Sequence, residues 1–173
     1  MLTVAQAKKR LQELFPGGLH GEKMRKNERD YKDELSRFAA ETYSRAALDT
    51  LIQTGKYAEV VELAHGLIKH SKNNFPAPFE KMAFGNGIRT HTRPREFAEA
   101  FCDWVLPAQP SQQAFEAFAA ELDRLGCAKW PILTSYRFLL HPQTDVLIKP
   151  TNLANAAEVA RFEINYRSEL KWL

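Results

Sequence analysis

The sequence predicts a mainly α protein, a single-domain helical bundle over residues 1–173. Three observations carry that prediction. Apolar residues recur at helical spacing along most of the chain. Glycine and proline cluster at the breaks between those stretches rather than inside them. The composition is that of an ordinary folded domain, with 45% hydrophobic, 26% charged and 11% aromatic residues. The same numbers exclude a disordered chain, a collagen-like chain and a disulfide scaffold. A chain of 173 residues corresponds to one domain.

Residues 3–14 form the first expected helix, with Thr3 as cap and Val4, Ala7, Leu11 and Leu14 at helical spacing. Phe15-Pro16-Gly17-Gly18-Leu19-His20-Gly21 breaks it. A long helix then runs from about Asn27 to Thr54, free of Gly and Pro, with Tyr31, Leu35, Phe38, Thr42, Ala46 and Asp49 on one stripe. Gly55 stops it. The next helix covers Lys56 to Lys72 and turns Tyr57, Val60, Val61, Ala64, Leu67 and Ile68 inward. A single turn between the two makes them an antiparallel pair.

After the break at 73–78, residues 78–84 are helical and Gly85-Asn86-Gly87 ends them. Thr92 caps a helix reaching about Leu106 that buries Phe97, Phe101, Trp104 and Val105. Ser111 caps another, with Phe115, Phe118, Leu122 and Leu125 inward and Gly126 as stop. Ile132 to Leu140 is rich in β-formers, and Val146-Leu147-Ile148 can pair with it across His141-Pro142-Gln143-Thr144. A short β-hairpin is therefore expected over about 132–148. Thr151 or Asn152 caps a last helix to about Phe162. The apolar ending Lys171-Trp172-Leu173 is expected to pack back on the core.

No strong catalytic signature is present. There is no HExxH, no Walker loop and no GxSxG elbow. Gly85-Asn86-Gly87 is only the first half of a dinucleotide fingerprint. Cys102 and Cys127 form no CxxC pair and read as buried, reduced thiols. His65 and His70 stand five apart on one helix, which puts them on different faces. No metal and no cofactor are expected. At the N-terminus the charges follow the apolar residues, the reverse of a signal peptide, and no apolar run approaches the ~20 residues of a membrane span. These features predict a cytoplasmic protein with no membrane partner.

Two basic constellations are the candidate anion- or phosphate-binding sites. The first contains Lys23, Arg25, Lys26 and Arg29, where residues 1–32 hold eight basic and four acidic side chains. A helix N-terminus with Arg and Lys beside it favours an anion. The competing reading is a solvated face tied by Lys26–Asp30, Glu28–Lys32 and Arg29–Asp33 pairs. The second contains Arg89, His91, Arg93 and Arg95 after the glycines, with no acid before Glu96. Flexible glycines, positive charge and a helix start coincide there. Residues 98–127 carry the opposite sign, with five acids against Arg124, so charge is polarised along the chain. Tyr136, Phe138 and Trp130 become a partner or base-stacking surface if one face of the ribbon is exposed.

Glu28-Arg29-Asp30-Tyr31-Lys32, Phe79-Glu80-Lys81-Met82-Ala83, Trp130-Pro131-Ile132-Leu133-Thr134, Leu147-Ile148-Lys149-Pro150 and Asn165-Tyr166-Arg167 resemble segments of a group of small uncharacterised bacterial proteins. The resemblance implies a bacterial cytoplasmic origin and one continuous domain. It implies no activity.

The functional expectation is a non-enzymatic helical interaction or regulatory module. Its partner is another protein first, and nucleic acid through the basic loop second. An alternative is an enzyme whose site is built from dispersed residues, drawn from Glu22, Arg25, Glu28, Arg29, Asp30, Tyr31, His91 and His141. A third reading is an accessory subunit or homo-oligomer that buries its aromatic ribbon and apolar C-terminus.

Overall fold

The computed structural model describes residues 3–161, 163 and 169–172. Phe162, the Asn165-Tyr166-Arg167 segment and Leu173 lie outside the described residues. The described chain is mainly helical and contains no strand. Its helices are α1 (Val4–Leu14), the single turn α2 (Glu22–Met24), α3 (Asp30–Thr42), α4 (Arg45–Gln53), α5 (Tyr57–Lys69), α6 (Pro78–Arg89), α7 (Pro94–Val105), α8 (Gln112–Arg124), α9 (Trp130–Leu140) and α10 (Pro150–Ala160). A π-turn over Arg25–Arg29 joins α2 to α3.

Several boundaries follow from the capping residues. Thr3 and Gln6 form a reciprocal capping box on α1. Ser111 Oγ accepts from Ala114 N at 3.1 Å and opens α8. Gly55 and Gly126 sit at φ 71° and 68°, where side-chain-bearing residues are strained, and they stop the helices before them.

The core is built from the inward faces of α3, α5, α7, α8 and α9. Packing α7 against both α5 and α8 places Phe97, Phe101 and Phe118 together, with ring centroids 5.6–6.1 Å apart. Tyr43 and Tyr136 complete this aromatic cluster. Their hydroxyls are buried and donate to adjacent carbonyls of α5, Tyr43 to Leu63 at 2.7 Å and Tyr136 to Ala64 at 2.9 Å. Burying an unpaired hydroxyl costs more than the ring gains by refinement of its packing, so these two bonds set where α3 and α9 meet α5.

Three expectations are corrected. The helix expected over Asn27–Thr54 is interrupted at Tyr43-Ser44. Ser44 Oγ accepts from Ala47 N at 3.3 Å and starts α4 anew, so a serine inside the run acts as an N-cap. The hairpin expected over 132–148 is absent. Residues 130–140 are helical, and 146–148 continue without pairing as a strand. Every residue from Pro131 to Arg137 is buried, so the segment meets protein on all sides and shows no alternation. Its hydroxyls are absorbed locally, Thr134 Oγ1 on Trp130 O at 2.7 Å and Ser135 Oγ on Ile132 O at 3.1 Å. The aromatic ribbon surface disappears with the hairpin, since Tyr136 is fully buried and Phe138 is packed against the core. Third, Gly85-Asn86-Gly87 does not end a helix. It lies inside α6, which continues to Arg89. A Cβ on Gly87 would stand 2.5 Å from Leu125 O, so the glycine allows α6 to approach the α8–α9 turn.

Arg137 is the largest side chain in the fully buried set. Its five N–H groups are all engaged. Nε and Nη2 grip Asp145 at 2.6 and 3.0 Å, Nη1 donates to the Trp104 and Pro107 carbonyls at 2.9 and 2.8 Å, and Nη2 donates to Ala108 at 3.0 Å. The guanidinium also lies 5.2 Å from the Trp104 ring. Removing it strands a carboxylate and three carbonyls. Arg137→Met is expected to cost about 3–5 kcal/mol in urea unfolding, against under about 1 kcal/mol for the exposed, paired Arg93→Met. Equal losses for the two variants would refute this account of Arg137.

Candidate functional site

The eight sequence candidates fall into two groups that no hydrogen bond, ion pair or ring contact joins among the described residues. The first group surrounds the π-turn. Lys26 pairs with Glu22 at 2.9 Å, Arg25 faces Asp30 at 3.6 Å and Arg29 faces Asp33 at 3.7 Å. Lys32 pairs with Glu28 at 3.1 Å. Lys23 lies over the Phe15 ring at 5.9 Å. The Lys26–Asp30 pair expected from spacing is replaced by Lys26–Glu22, because Arg25 takes Asp30. These pairs are exposed and individually weak, but they leave no convergent cationic cradle. Arg29 and Asp30 are exposed, so they form no buried polar network with Tyr31.

In the second group Arg93 binds Glu96 at 3.1 Å and Arg95 binds Glu99 at 2.8 Å. Arg95 also lies 5.8 Å from the Tyr57 ring. His91 packs edge-on against Phe97 at 5.6 Å, and its Nε2 is buried without a hydrogen-bond partner among the described residues. Arg89 differs from its neighbours. It bonds the side-chain oxygen of Asn86, and no carboxylate pairs with it among the described residues.

Arg89 also shares a helix face with residues the sequence reading passed over. Phe79, Met82, Asn86 and Arg89 are spaced i, i+3, i+7 and i+10 on α6, so they form one stripe. Phe79 and Met82 are each 64% exposed, the most exposed aromatic ring and the only exposed methionine in the described chain. The opposite face of α6 carries Phe84 and Ile88 into the core. Treating Gly85-Asn86-Gly87 as a stop cut this stripe in two and hid it.

His65 of α5 borders the stripe. A Cβ on Gly85 would come within 3.3 Å of its Nε2. Burial first, then the cation of Lys69, holds the ring below the ordinary histidine range. Glu62 at 4.0 Å pulls the other way, and Arg89 adds to the lowering. Around His65 the α5–α6 seam thus sets the cations of Lys69 and Arg89 against the carboxylate of Glu62.

The dispersed groups of the enzymatic reading do not converge. His141 Nε2 is engaged with the Val105 carbonyl at 2.9 Å, His91 lies against Phe97, and the acids and arginines of the π-turn pair among themselves. Ser36 and Ser135 donate to backbone carbonyls, and Ser44 and Ser111 cap helices. Among the described residues no group of three or more His, Cys, Asp or Glu is placed to hold a metal ion. No helix among them is long and apolar enough to cross a membrane.

Cys102 and Cys127 are free and buried, and burial pushes both thiols up to about 12. A thiol reagent at neutral pH is therefore expected to leave the native chain unlabelled and to modify both cysteines in denaturant. Rapid labelling of either in the native state would contradict their placement. His65 supplies a second check. Because its folded value is lowered, the unfolded chain takes the proton more readily. The associated stability is complete above pH 6.5 and is lost as pH falls from there through the folded value. An NMR titration is expected to show a His65 midpoint below 6.5 that rises in Arg89→Gln. An unchanged midpoint would remove Arg89 from the His65 environment.

The chain matches no family model, and no curated protein and no solved structure matches it.

Proposed function

We propose that this chain is a non-enzymatic helical module that binds another protein along the exposed stripe of α6. The observation that carries the reading is the placement of Phe79 and Met82, each 64% exposed, on the same face as an arginine without a carboxylate partner. Large apolar side chains beside Arg make a typical interface centre, since such residues supply most of the binding energy in protein contacts. The complementary partner is a segment that presents apolar side chains and an acidic group. Its apolar atoms cover Phe79 and Met82, and its carboxylate takes the fork of Arg89. The paired state of Arg93 and Arg95 gives a phosphate backbone fewer free cations to meet.

The test is affinity capture from native extract on the immobilised chain, followed by titration of the retained protein. The wild type and Arg95→Glu are expected to retain the same protein. Met82→Asp and Arg89→Glu are expected to bind it at least about tenfold more weakly, a difference of about 1.4 kcal/mol. All three positions are exposed, so circular dichroism should show unchanged helix content. Retention unaffected by the two α6 variants, or no retained protein, would overturn the reading. Salt-dependent binding of labelled DNA or RNA, lost in Arg89→Glu, would reassign the stripe to nucleic acid.

A further inference from the structure

The three tryptophans of the chain, Trp104, Trp130 and Trp172, come from well-separated positions and line one cavity of about 330 Å³. Phe115 sits at their centre, with ring centroids 5.5 Å from Trp104, 6.0 Å from Trp130 and 5.5 Å from Trp172. Leu133 and Ile148 add aliphatic wall, and Val146 stands at the mouth, 70% exposed. This cavity lies away from the α6 stripe, and none of its lining residues belongs to α6.

Its charged groups and hydroxyls are already committed. Arg137 uses all five donors as described above. Asp145 accepts two of them and the Thr144 hydroxyl at 2.9 Å. Thr134 donates to Trp130 O and accepts from Ile148 N at 3.1 Å. Lys171 pairs with Glu169 at 3.0 Å. Among the described residues the charges around the cavity therefore cancel in pairs. An entering anion or cation would lose its hydration and find no unengaged countercharge among them. A neutral ring loses little on leaving water and meets aromatic faces and edges.

We propose that this cavity is a binding site for a neutral, bicyclic or similarly sized aromatic molecule. Size supports the class as chemistry does. An apolar cavity of about 150 Å³ takes a single benzene ring, and this one has about twice that volume, at the lower end of the range for small-molecule sites.

The probe is N-phenylnaphthylamine, a neutral dye that brightens in apolar surroundings, added to the full chain. The expected result is saturable dye emission with matching quenching of tryptophan emission, since every tryptophan borders the cavity. Val146→Trp fills the mouth from an exposed position and is expected to weaken dye binding at least tenfold, with thermal unfolding unchanged. Val146→Phe is the second blocking variant and should weaken it in the same direction. Anilinonaphthalene sulfonate, which adds one negative charge to nearly the same rings, is expected to bind the wild type at least tenfold more weakly. Absence of saturable dye binding would overturn the proposal. So would binding that survives both Val146 variants, or a sulfonate that binds as tightly as the neutral dye.

Discussion

The buried guanidinium of Arg137 is the constraint on which the C-terminal half depends. A charge taken out of water must find partners in fixed positions or it is not tolerated. Here the partners belong to three separate pieces of chain. They are the end of α7 through Trp104, the linker after it through Pro107 and Ala108, and the segment after α9 through Asp145. The linker and the segment after α9 carry no regular secondary structure to hold their positions. One side chain on a buried helix sets all three. Because α9 also delivers Tyr136 to α5, the same helix carries the register of the aromatic core on one side and of the loops on the other. The tryptophan cavity is a consequence, since Arg137 and Asp145 form part of its lining and position Val146 and Ile148 beside it.

A second constraint acts on the other side of the core. Gly87 lets α6 come against the Leu125 carbonyl, and Glu80 Oε2 accepts from Ala77 N at 2.7 Å at the start of the helix. Asn73, fully buried, holds the preceding turn by donating to Leu67 O at 2.8 Å and accepting from Phe75 N at 3.0 Å. With its inner face and both approaches fixed in this way, α6 presents Phe79 and Met82 outward on a rigid element. Rigidity matters for the proposed interface, because a surface already ordered loses little conformational freedom on binding.

Much of the helical fold was legible. The buried faces of α5, α7 and α8 carry the residues their spacing assigns, and Thr3, Ser111, Gly55 and Gly126 mark ends as their chemistry predicts. What was not legible depends on contacts distant in sequence. A run such as Ile132–Leu140 has the same composition as a buried strand or a buried helix, and periodicity cannot separate them when every side is covered. What decides it is the Arg137 network and the Tyr136 bond to α5, neither of which leaves a mark on local spacing. Ser44 was visible as a residue but not as a cap, because nothing else interrupts the run around it. Gly87 was read as a break because its reason, the Leu125 carbonyl opposite, lies 38 positions away.

The charged candidates show the reverse situation, in which local spacing held more information than total charge. Arg93 and Arg95 each have a glutamate three or four positions ahead, Glu96 and Glu99, and both pairs form. Arg29 has Asp33 and Lys26 has Glu22 at the same helical interval, and both pairs form as well. Arg89 has Gly85 and Asn86 behind it and Thr92 and Arg93 ahead, with no acid at any helical interval. A neighbouring carboxylate on the same helix answers a cation locally, and a cation without one must be answered by solvent, by a distant residue or by a partner. By that criterion the sequence singles out Arg89 and Arg137, and the structure answers Arg137 with the distant Asp145 while Arg89 keeps no carboxylate among the described residues. The two exposed apolar residues about two and three turns before it, Met82 and Phe79, then indicate which kind of partner the face suits.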